Sequence, residues 1–385
     1  MEPQFNLSIL HWVTDLCVMG GGLGCTYLLV TIFSVSRFVH KSGSSRCKPA
    51  PVTILKPLHG KEPDLVLRLA TFCDQTYHGP TQIVFGCHDH GDAAITAVEW
   101  LQTVRPGLSI DLVVGGPAHG GNRKISNLIN MAPAARHDVL VIADSDIDVG
   151  PDYLADIVTL LEEPGVGAVT CLYHGVARDT LPAYISALAI NGHFLPNVLT
   201  AITLGLARPC FGATIALGRD TLERIGGFHA FADRLADDHA IGEAVRAAGH
   251  RVAISSFSVG HACTEQTFRE FFDRQLRYAR TIKSINPIGY VGAIVANPLP
   301  LAVIAALGGN ANAPFLIAAA IACRLMLCRV TERTLRLPHQ PYWLLPAADI
   351  ALFGVFVSSF FGSGVTWRGH RFRVLSDGTL SQGHN

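Results

Sequence analysis

The chain of 385 residues is 49% hydrophobic and only 16% charged, with 30 acidic and 30 basic residues and a mean hydropathy of +0.32. That balance is too apolar for an ordinary water-soluble domain and too mixed for a bundle of membrane helices alone, which implies a hybrid of the two. Zero formal net charge gives no argument for nucleic acid as a partner, and ten scattered cysteines without a Cys-x-x-Cys pair argue against zinc and against a disulfide framework.

Residues 12–35 are mainly apolar, interrupted by Asp15 and Gly20-Gly21-Gly22, and long enough for one membrane span. Arg37, Lys41, Arg46 and Lys48 follow the stretch and no Lys or Arg precedes it. The positive-inside rule then places the N-terminus outside and residue 40 onward in the cytoplasm. Without a basic n-region this reads as an uncleaved anchor rather than a signal peptide.

Residues 51–260 alternate apolar runs with helical patterns, the pattern of a doubly wound α/β domain. Strands are expected at 52–55, closed by Lys56-Pro57, at 82–87 and near 110–114, with a helix over 64–74. The second strand ends in the polar run His88-Asp89-His90-Gly91-Asp92. After the third, Gly115-Gly116 and Gly120-Gly121-Asn122-Arg123-Lys124 open a helix through Met131. Glycines, a basic pair and a helix N-terminus can form an anion site, although a bare glycine-rich turn looks the same in sequence.

The run Val139-Leu140-Val141-Ile142-Ala143-Asp144-Ser145-Asp146 reads as a buried parallel strand ending in two carboxylates. In an extended segment, residues i and i+2 face the same way. Asp144 and Asp146 can therefore face one cation, and hard oxygen ligands suit Mg2+ or Mn2+. The plainer account is one helix cap and one solvated acid. A helix over 151–162, a strand over 166–170 and a helical stretch over about 181–199 carrying His193 come next. Asp237-Asp238 then open a helix through Ala248, where acids also suit the macrodipole. Arg274, Arg277 and Arg280 or Lys283 can share a helical face, suited to anionic lipid or to a pyrophosphate.

Three apolar stretches close the chain, at about 288–308, 313–330 and 343–363. Pro298 and Pro300 break the first, and Arg324 interrupts the second. The basic clusters Arg329, Arg333, Arg336 and Arg368, Arg371, Arg373 both favour the cytoplasm, so at least one stretch must be re-entrant or interfacial or one cluster breaks the rule. The tail from Ser376 reads as unstructured.

Asp92, Asp144-Ser145-Asp146, Asp237-Asp238 and Arg274-x-x-Arg277-Tyr278 stand in the order D, D, D, (Q/R)xxRW of the family 2 and family 21 glycosyltransferases. The chain most resembles the ceramide glucosyltransferases and their bacterial relatives associated with hopanoid biosynthesis. Residues 54–58 (Ile-Leu-Lys-Pro-Leu), 122–128 (Asn-Arg-Lys-Ile-Ser-Asn-Leu) and 225–228 (Ile-Gly-Gly-Phe) extend the likeness over nearly the whole chain, with Tyr278 where the family usually has Trp.

The resemblance implies a GT-A type, doubly wound (Rossmann-like) catalytic domain with N-terminal and C-terminal transmembrane or interfacial helices. The layout would be an anchor over 1–40, a cytosolic domain over 45–285, membrane or interfacial helices over 286–374 and a tail over 375–385. It implies a UDP-sugar donor and Mg2+ or Mn2+ held by Asp146 with Asp144. Asp92 would contact the uridine and Lys124 the phosphates. Arg274 and Arg277 would stabilise the leaving pyrophosphate, with Tyr278 offering an aromatic face. Asp238 would be the general base of a single displacement that inverts the anomeric carbon, and His193 and Asp237 are candidate acceptor-side residues. The run 207–212 and the Asn-Arg-Lys helix look more like the hopanoid enzymes. They point to N-acetylglucosamine transfer onto bacteriohopanetetrol at a bacterial inner membrane, with glucose transfer to ceramide next. A processive polysaccharide synthase would carry more spans and a strict Gln-x-x-Arg-Trp. An inactive membrane scaffold is opposed by the retained carboxylates, whose mutual repulsion would otherwise be a burden on the fold.

Overall fold

The computed structural model describes residues 2–38, 49–362, 364–367, 370–374 and 380–382. The chain forms two compact units, one of Met1–Val39, His174–Ala207 and Cys263–His370, the other of His40–Tyr173, Arg208–Ala262 and Arg371–Asn385.

The second unit is built on an eight-stranded sheet: β1 (Val52–Pro57), β2 (Thr81–Cys87), β3 (Ser109–Val114), β4 (Val139–Ala143), β5 (Ile147–Asp148), β6 (Val166–Ala177), β7 (Thr214–Gly218) and β8 (Arg251–Cys263). Their order is β3-β2-β1-β4-β7-β6-β8-β5. The half β3-β2-β1-β4 is parallel, as expected, with Leu55 opposite Ile142 across β1 and β4. The other half is not: β7 runs antiparallel to both β4 and β6, and β5 antiparallel to β8. The sheet is therefore mixed. Apolar runs report that both faces are covered, not which way a strand points, so sequence alone could not separate the two halves.

Because side chains alternate across a strand, the sheet feeds two cores. Ile54, Phe85, Val141 and Val169 face one, packed with Leu69, Val98 and Ile157 from the helices Leu65–Cys73, Ala94–Val104 and Tyr153–Leu161. Leu55, Val84, Leu140 and Ile142 face the other, with Leu128 and Val245 from the helices Arg123–Met131 and Asp237–Ala247. The helix Ala94–Val104 and the long strand β8 were not foreseen. β8 mixes serines with apolar residues and carries no clean period-2 pattern.

The first unit is helical. Its His11–Ser36, Leu181–Thr203 and Ala313–Leu335 segments are long and apolar enough to cross a membrane, and the helices Pro287–Ala296 and Pro298–Leu307, bent by 64° where the prolines fall, could make a fourth span. Tyr342–Ser358 is apolar but shorter. Trp12, Leu16, Met19, Leu23, Phe315 and Met326 stay exposed on the first and third of these segments. That much uncovered apolar surface marks a membrane-facing surface. Of the tail, residues 380–382 are described, and Leu380–Gln382 pairs antiparallel with Phe372–Val374. Residues 375–379 and 383–385, and Lys41, Arg46, Lys48 and Arg368 of the basic flanks, lie outside the described residues.

Candidate active site

In the parallel half of the sheet, chain order reverses between β1 and β4, and ligands of open α/β sheets bind at the carboxyl ends of strands at such a switch point. Lys56 lies near the end of β1, and Asp144 follows β4 directly. The strand stops at Ala143, so Asp144 and Asp146 sit in a turn rather than on the extended segment expected for them. Lys124, in the first turn of the helix Arg123–Met131, places its Nζ 2.7 Å from Asp144 Oδ1 and 3.4 Å from Asp237 Oδ2. Asp238 accepts from the Gly212 amide (2.9 Å) and from its neighbour His239 (2.8 Å). One lysine and the carboxylates of Asp144, Asp237 and Asp238 thus meet around Gly212. A Cβ there would lie 3.3 Å from both Asp238 Oδ2 and Lys124 Nζ. Asp146 Oδ2 lies 3.4 Å from His261 Nδ1, because His261 is paired with Ile147 across β8 and β5.

Burial acts on these groups unequally. It pulls the Lys124 ammonium down, but Asp144 and then Asp237 more than reverse this, so Lys124 is held protonated. At Asp238, burial and then the Asp237 charge raise the carboxyl to about 6, against the pull of Lys124 and of the two amides. Lys56 is fully buried and lowered to about 7 by desolvation, which the charges of Asp146, Asp144 and Glu62 oppose.

In the glycine-rich turn considered from sequence as an anion site, four backbone amides are engaged within the protein. The Gly121 amide donates to Asp233, the Asn122 amide to Ala232 O, and the Lys124 and Ile125 amides to the Asn122 side chain that caps the helix. Those amides satisfy the turn and the helix cap, which leaves the Lys124 side chain to carry the positive charge towards the site. Asn122 Nδ2 also donates to Asp237 Oδ1 (3.1 Å) and to Arg234 O (2.8 Å), tying the cap to the acidic cluster. Asp92 is likewise engaged: its side chain is 3% exposed and accepts from the Gly60 amide with both oxygens (2.8 and 2.9 Å) and from the Ala94 amide (2.9 Å).

The remaining candidates belong to the helical unit. Arg274 Nε lies 3.2 Å from the buried Glu265, and the Arg277 guanidinium sits 4.8 Å from the centre of the Tyr278 ring. Arg280 and Lys283, one and two helical turns past Arg277, donate to the Phe361 and Ser359 carbonyls just beyond the end of the helix Leu345–Ser358. His193 lies in a π-helical stretch, Ala189–Phe194, with its Nε2 2.7 Å from Asp349. Arg324 is buried, donating to Asp349 (3.0 Å) and to the carbonyls of Gly192 (3.1 Å) and Ala296 (2.7 Å). It faces protein rather than snorkelling.

Among the described residues no three His, Cys, Asp or Glu side chains form a closed metal cage. The donor set still suits Mg2+ or Mn2+, which bind through one or two carboxylates and leave positions for substrate phosphates. Gly212, His261 and Lys56 were absent from the sequence-based site, and Asn122 entered it only as part of the glycine-rich turn. Only Lys56, a charge at the end of an apolar strand, gave a local signal.

A mannosyltransferase, PcManGT from Pyrobaculum calidifontis, solved in complex with GDP-Man and Mn2+, shares the fold: the TM-score is 0.50 at 22% identity, covering 91% of this chain and 99% of that one. The mixed sheet is that of a GT-A glycosyltransferase. The chain belongs to glycosyl transferase family 21, whose model matches residues 16–380, and is accordingly a glycosyltransferase. It is similar to ceramide glucosyltransferase 1 of Caenorhabditis elegans, 22% identical over 100% of this chain and 87% of that protein. Ceramide glucosyltransferase 3 of the same organism is 24% identical over 66% of this chain and 56% of that protein.

Proposed function

We propose that this glycosyltransferase moves a sugar from a UDP-sugar to the hydroxyl of a membrane lipid by a metal-dependent, inverting displacement. The observation that carries this reading is the gathering of Asp144, Asp237 and Asp238 around Lys124 at the switch point. Asp146 and Asp144 would hold Mg2+ or Mn2+, which when bound supplies Lewis acidity at the donor diphosphate. Asp238 removes the acceptor proton while the hydroxyl oxygen attacks the anomeric carbon; the bond from that carbon to the diphosphate oxygen breaks, and UDP leaves. Its raised pKa keeps the carboxylate basic enough for that task. Lys124 fixes Asp144 and Asp237 and adds positive charge for the phosphates. Asp92 retains acceptor capacity beyond the Gly60 and Ala94 amides for a uridine contact. The roles of Arg274 and Arg277 at the leaving pyrophosphate, of Tyr278 at the sugar or acceptor, and of His193 and Asp237 towards the acceptor rest on motif order.

The acceptor we favour is a hopanoid polyol such as bacteriohopanetetrol, with N-acetylglucosamine as the sugar, on the strength of the run Ala207-Arg208-Pro209-Cys210-Phe211-Gly212. The similarity to ceramide glucosyltransferases supports a second reading, glucose transfer to ceramide. Either lipid keeps its apolar body in the bilayer, which suits an anchor over 1–40, a catalytic domain over 45–285 facing the cytoplasm of a bacterial inner membrane, helices over 286–374 and a tail over 375–385. The test supplies membranes containing the protein with Mg2+ or Mn2+, labelled UDP-sugars, and bacteriohopanetetrol or ceramide separately, with products identified by mass. Label from UDP-N-acetylglucosamine in the hopanoid supports the first reading, and label from UDP-glucose in ceramide the second. Label in neither lipid overturns both.

A further inference from the structure

Beneath the Asp144–Asp146 turn lies a set of charged side chains that the reaction does not use directly. Lys56 is 0% exposed, and its Nζ donates to the backbone carbonyls of Asp144 (2.5 Å) and Ile147 (3.4 Å), which bracket the turn. The ammonium also lies 3.9 Å from the centre of the Phe72 ring. The middle residue of the turn, Ser145, donates its hydroxyl to Glu62 Oε1 at 2.5 Å. Glu62 Oε2 in turn accepts from Arg68 at 3.1 Å. The turn is thus gripped at three points, two on its backbone and one at its central side chain.

This arrangement is costly for stability alone. Arg68 has a side chain only 3% exposed, and its Nε and one terminal nitrogen have no hydrogen-bond partner. Buried donors left unpaired are unfavourable, and the Glu62 carboxylate, 24% exposed and partly solvated, repays only part of the cost of burying the guanidinium. A turn that must carry Asp144 and Asp146 side by side has a different need. The two carboxylates repel, and without outside restraint the turn would relax to separate them.

We propose that Lys56, Glu62 and Arg68 are positioning residues that hold the Asp144-Ser145-Asp146 turn in the shape that receives the metal and the donor diphosphate. The proposal rests on the donor site described above and assigns no contact with substrate to any of the three. It separates what the cluster does for the site from what it does for the fold. Replacing Glu62 and Arg68 together by apolar residues removes the unpaired donors along with the grip on Ser145.

The experiment titrates UDP into the full-length, detergent-solubilised protein with and without Mn2+, and records thermal melting of the same samples. The Glu62→Leu/Arg68→Met variant is expected to melt at or above the wild-type temperature while its Mn2+-dependent affinity for UDP falls at least about tenfold. Ser145→Ala, which leaves the Lys56, Glu62 and Arg68 side chains in place, is expected to weaken the same affinity by a smaller factor at unchanged melting temperature. It decides the matter if the double variant fails to fold. Wild-type UDP affinity in a folded double variant, or in Ser145→Ala, overturns the positioning role. A wild-type protein that binds UDP no better with Mn2+ than without it overturns the metal-dependent donor site itself, and this inference with it.

Discussion

Asp238 has a carboxyl raised to about 6 by burial and by Asp237, and a general base must be ionised to work. Turnover is therefore expected to fall as pH drops through about 6 and to level off above it, read as kcat/KM against pH. The stability consequence has the opposite sign. With its folded pKa above the unfolded value of about 3.9, Asp238 binds its proton more tightly in the folded state, so its contribution to stability declines as pH rises from about 4 to 6. Gly212 gives a second prediction. A methyl group 3.3 Å from Lys124 Nζ and Asp238 Oδ2 must push one of them aside, and Gly212→Ala is expected to lower kcat about tenfold without loss of melting temperature. Asp144, Asp237 and Asp238 were legible because acids at the end of an apolar strand or in a first helical turn stand out against their surroundings. Gly212 and His261 were not, since their proximity to the carboxylates comes from sheet register and not from spacing along the chain.

Among the elements, the helix Arg123–Met131 shows how local and tertiary demands share one residue. Asn122 Oδ1 caps the helix, and its Nδ2 reaches Asp237. Asn122→Ala removes both functions and is expected to cost about 1 kcal/mol from the cap. Asn122→Asp keeps an oxygen for the cap but sets a carboxylate against Asp237. Its melting temperature should stay nearer to wild type than that of Asn122→Ala while activity is lost. In the helical unit, Arg324 and Asp349 form a buried pair whose rupture leaves a charge uncompensated. Arg324→Met is expected to destabilise the protein by about 3–5 kcal/mol in detergent melts, and Arg324→Met/Asp349→Leu to recover part of that loss. The apolar pattern at 313–330 foretold this helix and the odd position of Arg324. Its partner lies 25 residues away and could not be read from the pattern.

For the whole molecule, sequence gave the order of parts more reliably than their packing. Strand runs, the proline break near 298 and the apolar C-terminal segments all read through, because each is a property of a contiguous stretch. The grouping of His174–Ala207 with the helical unit did not, because that depends on which distant residues cover it. Leu181–Thr203 is apolar and mostly buried in the full chain. A fragment of residues 45–285 lacks the partners Tyr27 and Gln340 that pair with Asn197 and Asn191. It is expected to aggregate without detergent and to glycosylate the intact lipid more slowly than the full chain, as measured by sedimentation and by label transfer. Transfer at the intact rate would show that residues 1–44 and 286–385 are dispensable for acceptor use.

Wild type and Asp238→Asn are best compared in two assays on the same preparations: label transfer from the UDP-sugar to lipid, and Mn2+-dependent binding of UDP. The proposed chemistry predicts that transfer falls at least about 100-fold while UDP affinity is nearly unchanged, because only the base is lost. Equal transfer by the two proteins would contradict it.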